Sequence, residues 1–173
     1  MPCNLEGMNP NLLRHYSASH SPPSEQEAAS PEFALRHPLR ILIADDNYIN
    51  RRVLSLLLQR LGYKADSAEN GQDCLAKALS TTYDLLLIDI NMPDISGIEC
   101  TQQLRGAGRS FPIVALTATD PDINRKPCLA AGMNDFVSKP LQLSELKRVL
   151  CDASLVRTSN SPSAPGVGLH FVF

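Results

Sequence analysis

A doubly wound α/β domain, a parallel sheet of five strands with helices on both faces, is predicted by three features of the sequence. Five short apolar runs, at residues 40–44, 63–68, 85–88, 112–117 and 135–140, are too brief for helices and suit strands buried on both faces. Stretches with apolar residues at helical spacing alternate with them, and that alternation builds a parallel sheet through right-handed crossovers. Four of the runs also deliver polar side chains to their C-terminal ends: Asp45 and Asp46 after the first, Asp89 after the third, Thr117 on the fourth and Lys139 on the fifth.

Taken in order, residues 1–37 are rich in Ser, Pro, Asn and Glu without periodicity and read as a disordered linker, leaving 38–153 for the folded domain. The first strand ends at Asp45-Asp46, and Asn47 is placed to cap a helix. Ile49, Val53, Leu57 and Leu61, with Leu54 and Leu58 beside them, form its apolar stripe, and Gly62 stops it. After the second strand, a helix over 70–80 is expected to turn Cys74, Leu75, Ala78 and Leu79 inward. The third strand releases Asp89, and Pro93 with Gly97 turns the chain there. A helix over 97–105 follows, ended by Gly106-Ala107-Gly108, and then the fourth strand. The helix expected over 120–131 is weaker: Pro127 removes a backbone donor inside it, so a late start or a kink is predicted. The fifth strand precedes an amphipathic helix begun by a Ser144 cap and ending near Ala153, and 154–173 reads as a flexible tail. The tail closes on the apolar residues Leu169-His170-Phe171-Val172-Phe173, which have no assigned role.

A chain of 173 residues, 43% hydrophobic and 20% charged, is long enough for one core with tails but not for two full domains. Its net charge of -2 offers no general attraction for nucleic acid or an anionic membrane surface, so any anion site must be built locally. Cys3, Cys74, Cys100, Cys128 and Cys151 are odd in number and widely spaced, which argues against a disulfide framework or a zinc site. Free thiols in a reducing compartment are expected. With no signal-peptide pattern and no apolar stretch of membrane length, the expectation is a soluble, cytoplasmic segment. No helix-turn-helix pattern follows Ala153, which disfavours a DNA-binding output.

Singly, each polar strand end has an ordinary explanation: an acidic pair begins a helix, and a lysine is a solvated charge. Together they differ, because the C-terminal ends of parallel strands share one edge, where open α/β sheets bind ligands. Three carboxylates gathered there repel one another unless a cation joins them, and Mg²⁺ suits a site of a few carboxylates completed by water and phosphate oxygens. A carboxylate attacking a phosphoryl group forms an acyl phosphate. Asp89 is therefore the expected phosphate acceptor, with the metal and Lys139 neutralising phosphoryl oxygens and Thr117 donating to one of them.

Over about residues 39–152 the sequence resembles response regulator receiver domains of two-component signalling. The resemblance rests on Asp45-Asp46-Asn47, Asp89 with Met92-Pro93 and Gly97, Thr117-Ala118, Ala131-Gly132-Met133, and Phe136 followed by Ser138-Lys139-Pro140. The phrases Asp45–Asn50 and Gly132–Pro140 look most like receivers of hybrid sensor histidine kinases. The resemblance implies a flavodoxin-like sheet of order 2-1-3-4-5 and phosphorylation of Asp89. It implies direct Mg²⁺ ligation by Asp46 and Asp89, ligation through water by Asp45, and a backbone carbonyl ligand from Asn91. Thr117 and Phe136 become a switch pair, Phe136 acting by packing alone where many members have Tyr, although a plain core role for it stays open. The Lys139-Pro140 bond is expected to be cis.

Three functions compete at this stage. The first is a phosphoacceptor served by a histidine kinase or a histidine phosphotransfer protein, the donor being elsewhere because His15, His20, His37 and His170 all lie in the expected tails. The second is a pseudo-receiver, a protein-interaction module without phosphate chemistry. The third is a metal-dependent aspartyl phosphatase, disfavoured by Asn91 where such enzymes commonly place a second acid. The expectation is a domain that is no enzyme on its own, with a monomer favoured.

Overall fold

The computed structural model describes residues 32–118 and 121–160. The chain runs α1 (Glu32–Arg36), β1 (Ile41–Ala44), α2 (Tyr48–Arg60), β2 (Asp66–Ala68), α3 (Gly71–Ser80), β3 (Leu85–Asp89), α4 (Gly97–Gly106), β4 (Ile113–Thr117), α5 (Pro121–Ala131), β5 (Asp135–Ser138) and α6 (Leu143–Asn160). All strand pairs are parallel in the order β2-β1-β3-β4-β5. This is the expected doubly wound sheet, in the order implied by the resemblance. No helix among the described residues is long and apolar enough to cross a membrane.

Successive strand side chains point to opposite faces, and that period of two divides the core. Leu42, Ala44, Leu86, Ile88, Ile113 and Ala115 face a cluster completed by α3, α4 and Cys128 of α5. Ile41, Ile43, Leu85, Leu87, Val114 and Leu116 face the other, completed by Leu54 and Leu58 of α2 and by Leu146, Val149 and Leu150 of α6. With both faces covered, β1, β3 and β4 are buried throughout, which explains why they read as unbroken apolar runs.

The structure corrects the expected boundaries at both ends. The linker expected over 1–37 already forms α1 at Glu32, whose Phe33 is buried in the second cluster beside Tyr63 and α6. The Ala34 N–H donates to the Leu61 carbonyl, and His37, expected in a tail, hydrogen-bonds Ser154. At the other end α6 continues past Ala153 to Asn160, and Ser144 lies inside the helix, not at its cap. The rest of the expected linker and tail, with Cys3, His15, His20, His170 and the apolar 169–173 stretch, lies outside the described residues. Phe33→Ala is expected to cost about 3 kcal/mol in urea unfolding, the usual range for truncating a buried aromatic. A change within about 0.5 kcal/mol, as at a surface site, would return α1 to the linker.

Three helical details also differ. The buried line of α2 is Leu54 and Leu58, continued by Leu61 just past its end, whereas Ile49 and Val53 are 67% and 51% exposed, so the stripe carries more apolar surface than the sheet covers. Leu79 of α3, expected inside, is largely outside. Helix α5 does not start late: it runs from Pro121 to Ala131 with Pro127 inside it, where proline offers no N–H to the ladder. Cys74, Cys100 and Cys128 are buried free thiols as expected, and Cys151 is half-buried. The adjoining Cys100 thiol and burial push the Cys74 thiol well above its ordinary range, keeping it protonated and inert.

Candidate functional site

Strand β1 ends in Asp45, fully buried, and Asp46, exposed; β3 ends in Asp89, 7% exposed. Each offers a carboxylate oxygen within 4.8 Å of the others. Lys139, just past β5, reaches across them, its ammonium donating to Asp45 Oδ2 and Asp89 Oδ2 at 2.6 Å each. Burial pulls the Lys139 pKa down, but its bonds to Asp45 and Asp89 outweigh this and hold it above the ordinary value. Thr117, 1% exposed, ends β4, and its carbonyl accepts the Lys139 N–H at 2.7 Å. The Lys139-Pro140 bond is cis. Asp45, Asp46, Asp89 and Lys139 thus gather at the edge of the sheet where Thr117 ends β4.

The carboxylates differ in what they already hold. Asp45 Oδ1 accepts from the Asn47 N–H at 2.8 Å, and Asn50 Nδ2 lies 3.2 Å from both Asp45 oxygens. With Lys139 added, Asp45 is satisfied on both sides. Asp89 Oδ1 accepts the Asn91 N–H at 3.1 Å, so Asn91 touches the site through its backbone. Three carboxylates against one ammonium leave two negative charges uncompensated within the cluster. An all-oxygen donor set with that charge fits a hard divalent cation.

The loop that carries Asp89 away from the sheet is held at both ends. Asp94 accepts the N–H groups of Gly71 and Gln72 at 3.0 Å each, anchoring the loop to the start of α3. The Gln72 and Gly71 donors hold the Asp94 carboxyl down at about 2. Ser96 caps α4 in a reciprocal box with Glu99. Gly97 lies so close beneath β3 that a Cβ there would sit 2.2 Å from the Asp89 carbonyl oxygen. Gly97→Ala is therefore expected to displace the end of β3 and to cost about 1–3 kcal/mol, read by urea unfolding. An unchanged midpoint would mean the loop is softer than this packing requires.

Phe136 of β5 pairs in register with Ala115 and packs, partly buried, against the first cluster. The Arg125 guanidinium stands over its ring at 5.2 Å. Alternation puts Phe136 and Thr117 on the same sheet face. Asn50 and Arg51 belong to the site but have no role in the sequence reading. Arg51 Nη1 donates to the carbonyls of Asp45 and Asp46 at 2.7 and 3.0 Å. The available signal was their place in the first turn of a capped helix, where side chains lean back toward the strand end.

Comparison with known proteins follows the same geometry. The family model described as the response regulator receiver domain matches residues 41–150. Hybrid signal transduction histidine kinase L of Dictyostelium discoideum is 35% identical over 139 residues, covering 73% of this chain but 8% of the kinase. The chain therefore spans only a small part of the length of that curated relative. The receiver domain of sensor histidine kinase PA1611 from Pseudomonas aeruginosa, solved with magnesium coordinated in its active site cleft, is 36% identical with a TM-score of 0.62, covering 67% of this chain and 97% of that one. The receiver of the Saccharomyces cerevisiae response regulator Ssk1, solved with the histidine phosphotransfer protein Ypd1, is 28% identical with a TM-score of 0.63, covering 69% and 90%.

Proposed function

Because the chain belongs to the response regulator receiver domain family, we propose that it takes a phosphoryl group from a phosphohistidine onto Asp89 and relays the signal by changing its surface. The observation that carries this reading is Lys139 bridging Asp45 and Asp89 while Asp46 completes an acidic trio within 4.8 Å. We read the parent as a phosphorelay protein, a hybrid histidine kinase by its relatives, with this domain as a monomer in the cytoplasm.

Mg²⁺ is the cation the site would hold. By the family's pattern Asp46 and Asp89 would ligate it directly, Asp45, whose oxygens are held by Asn47, Asn50 and Lys139, through water, and Asn91 through its carbonyl. When bound, it supplies positive charge to the phosphoryl oxygens. The chain's own groups do the rest. An Asp89 oxygen attacks phosphorus, the donor's P–N bond breaks as the P–O bond forms, and the imidazole leaves with the electron pair. Lys139 exchanges its bond to Asp89 for one to a phosphoryl oxygen while keeping Asp45, and the Thr117 hydroxyl donates to another. Thr117 then leaves space behind it that Phe136 fills. This chemistry is one event on the domain itself, without turnover of a free substrate.

The donor's docking face is supported by α2. Tyr48, Ile49, Val53 and Leu56 are exposed on the helix that begins beside the acidic trio. That apolar surface suits a face of a helical bundle, the form of a histidine phosphotransfer protein. Incubating the chain with Mg²⁺ and acetyl phosphate or phosphoramidate is expected to add one phosphoryl group by intact mass, and EDTA to prevent it. No gain with either donor would sink the reading.

A further inference from the structure

We propose that Arg51 is a positioning residue for the divalent cation, acting through the turn between β1 and α2 and not through its charge; this rests on the reading of Asp46 and Asp89 as cation ligands. Arg51 is the fourth residue of α2, yet its side chain is only 14% exposed. Its Nη1 donates to both carbonyls of the acidic pair, Asp45 at 2.7 Å and Asp46 at 3.0 Å. Nη2 lies 3.9 Å from the Glu69 carboxylate just past β2, and the guanidinium stands 5.9 Å from the Tyr48 ring. The head is thus held by two carbonyls, an acid and a ring, with one nitrogen on the carbonyls and the other toward the acid, a division that a planar fork provides and the single nitrogen of a lysine does not.

Asp45 is fixed by its own bonds to Asn47, Asn50 and Lys139, whereas Asp46 is exposed. The direction of the Asp46 carboxylate follows from the peptide that carries it, and Arg51 grips that peptide on both sides. Two effects oppose each other on a bound cation. A guanidinium nearby repels Mg²⁺, but its contacts are with backbone carbonyls and Glu69, which screens it; ordering of the ligand favours Mg²⁺. Groups that orient metal ligands from behind typically govern affinity by about 10-fold or more.

The test is Mg²⁺ titration of the full chain by amide shifts, comparing wild type with Arg51→Met and Arg51→Lys, together with the melting temperature without Mg²⁺. Met keeps the stem and removes the charge; Lys keeps the charge and loses the fork. Positioning predicts that both variants bind Mg²⁺ about 10-fold more weakly. Tighter binding by Arg51→Met with wild-type binding by Arg51→Lys assigns the residue to charge alone and overturns the proposal. So does a lowered melting temperature with an unchanged Kd, the mark of a merely structural role. If wild type itself fails to bind Mg²⁺, the underlying reading of the site falls, and this one with it.

Discussion

Asp89→Asn is expected to gain no phosphoryl group under conditions that modify the wild type fully. The amide keeps the size and shape of the side chain and one of its two acceptor positions, since the Asn91 N–H and the Lys139 ammonium bond different Asp89 oxygens. What is lost is the carboxylate nucleophile and one of the three charges that attract the cation. The amide also relieves repulsion with Asp45 and Asp46, and the melting temperature without Mg²⁺ is expected to hold or rise. Loss of chemistry with retained stability separates the acceptor role from a folding defect. A phosphoryl gain that persists in Asp89→Asn places the acceptor elsewhere. The same incubation discriminates the pseudo-receiver, in which wild type and variant would both stay unmodified.

Much of this site was legible before any coordinates because strand ends in a parallel sheet share an edge. Asp45, Asp46, Asp89 and Lys139 each follow a strand and Thr117 ends one, so a parallel sheet carries all five to one edge. The groups that support them were less legible. Asn50 and Arg51 reach the site backward along a helix, and nothing in their type distinguishes them from solvated polar residues. The exposed stripe of α2 misled in the opposite direction: apolar periodicity reports that a face is covered, but not by whom, and Ile49 and Val53 face away from the sheet. At the N-terminus composition hid α1, since the five residues Glu32–Arg36 are too few to show a period; the burial of Phe33 depends on a pocket assembled from Tyr63 and α6, far away in sequence.

Lys139→Met is expected to be among the most destabilising substitutions in the domain near neutral pH. The change keeps the apolar stem and removes the ammonium, leaving Asp45 wholly buried with only the Asn47 and Asn50 donors. Removing one partner of a buried pair typically costs about 3–5 kcal/mol, because the remaining charge has no compensation. In the wild type the Lys139 pKa lies above its ordinary value, so its contribution is complete below the unfolded lysine pKa and fades only as pH rises through the folded one. The gap in unfolding free energy between wild type and Lys139→Met should therefore be full at neutral pH and narrow only as pH rises above the ordinary lysine range. Mg²⁺ should narrow it too, by supplying charge where the ammonium was. Urea unfolding across pH, with and without Mg²⁺, measures both, and a gap constant in pH and blind to Mg²⁺ would reduce Lys139 to a packing role.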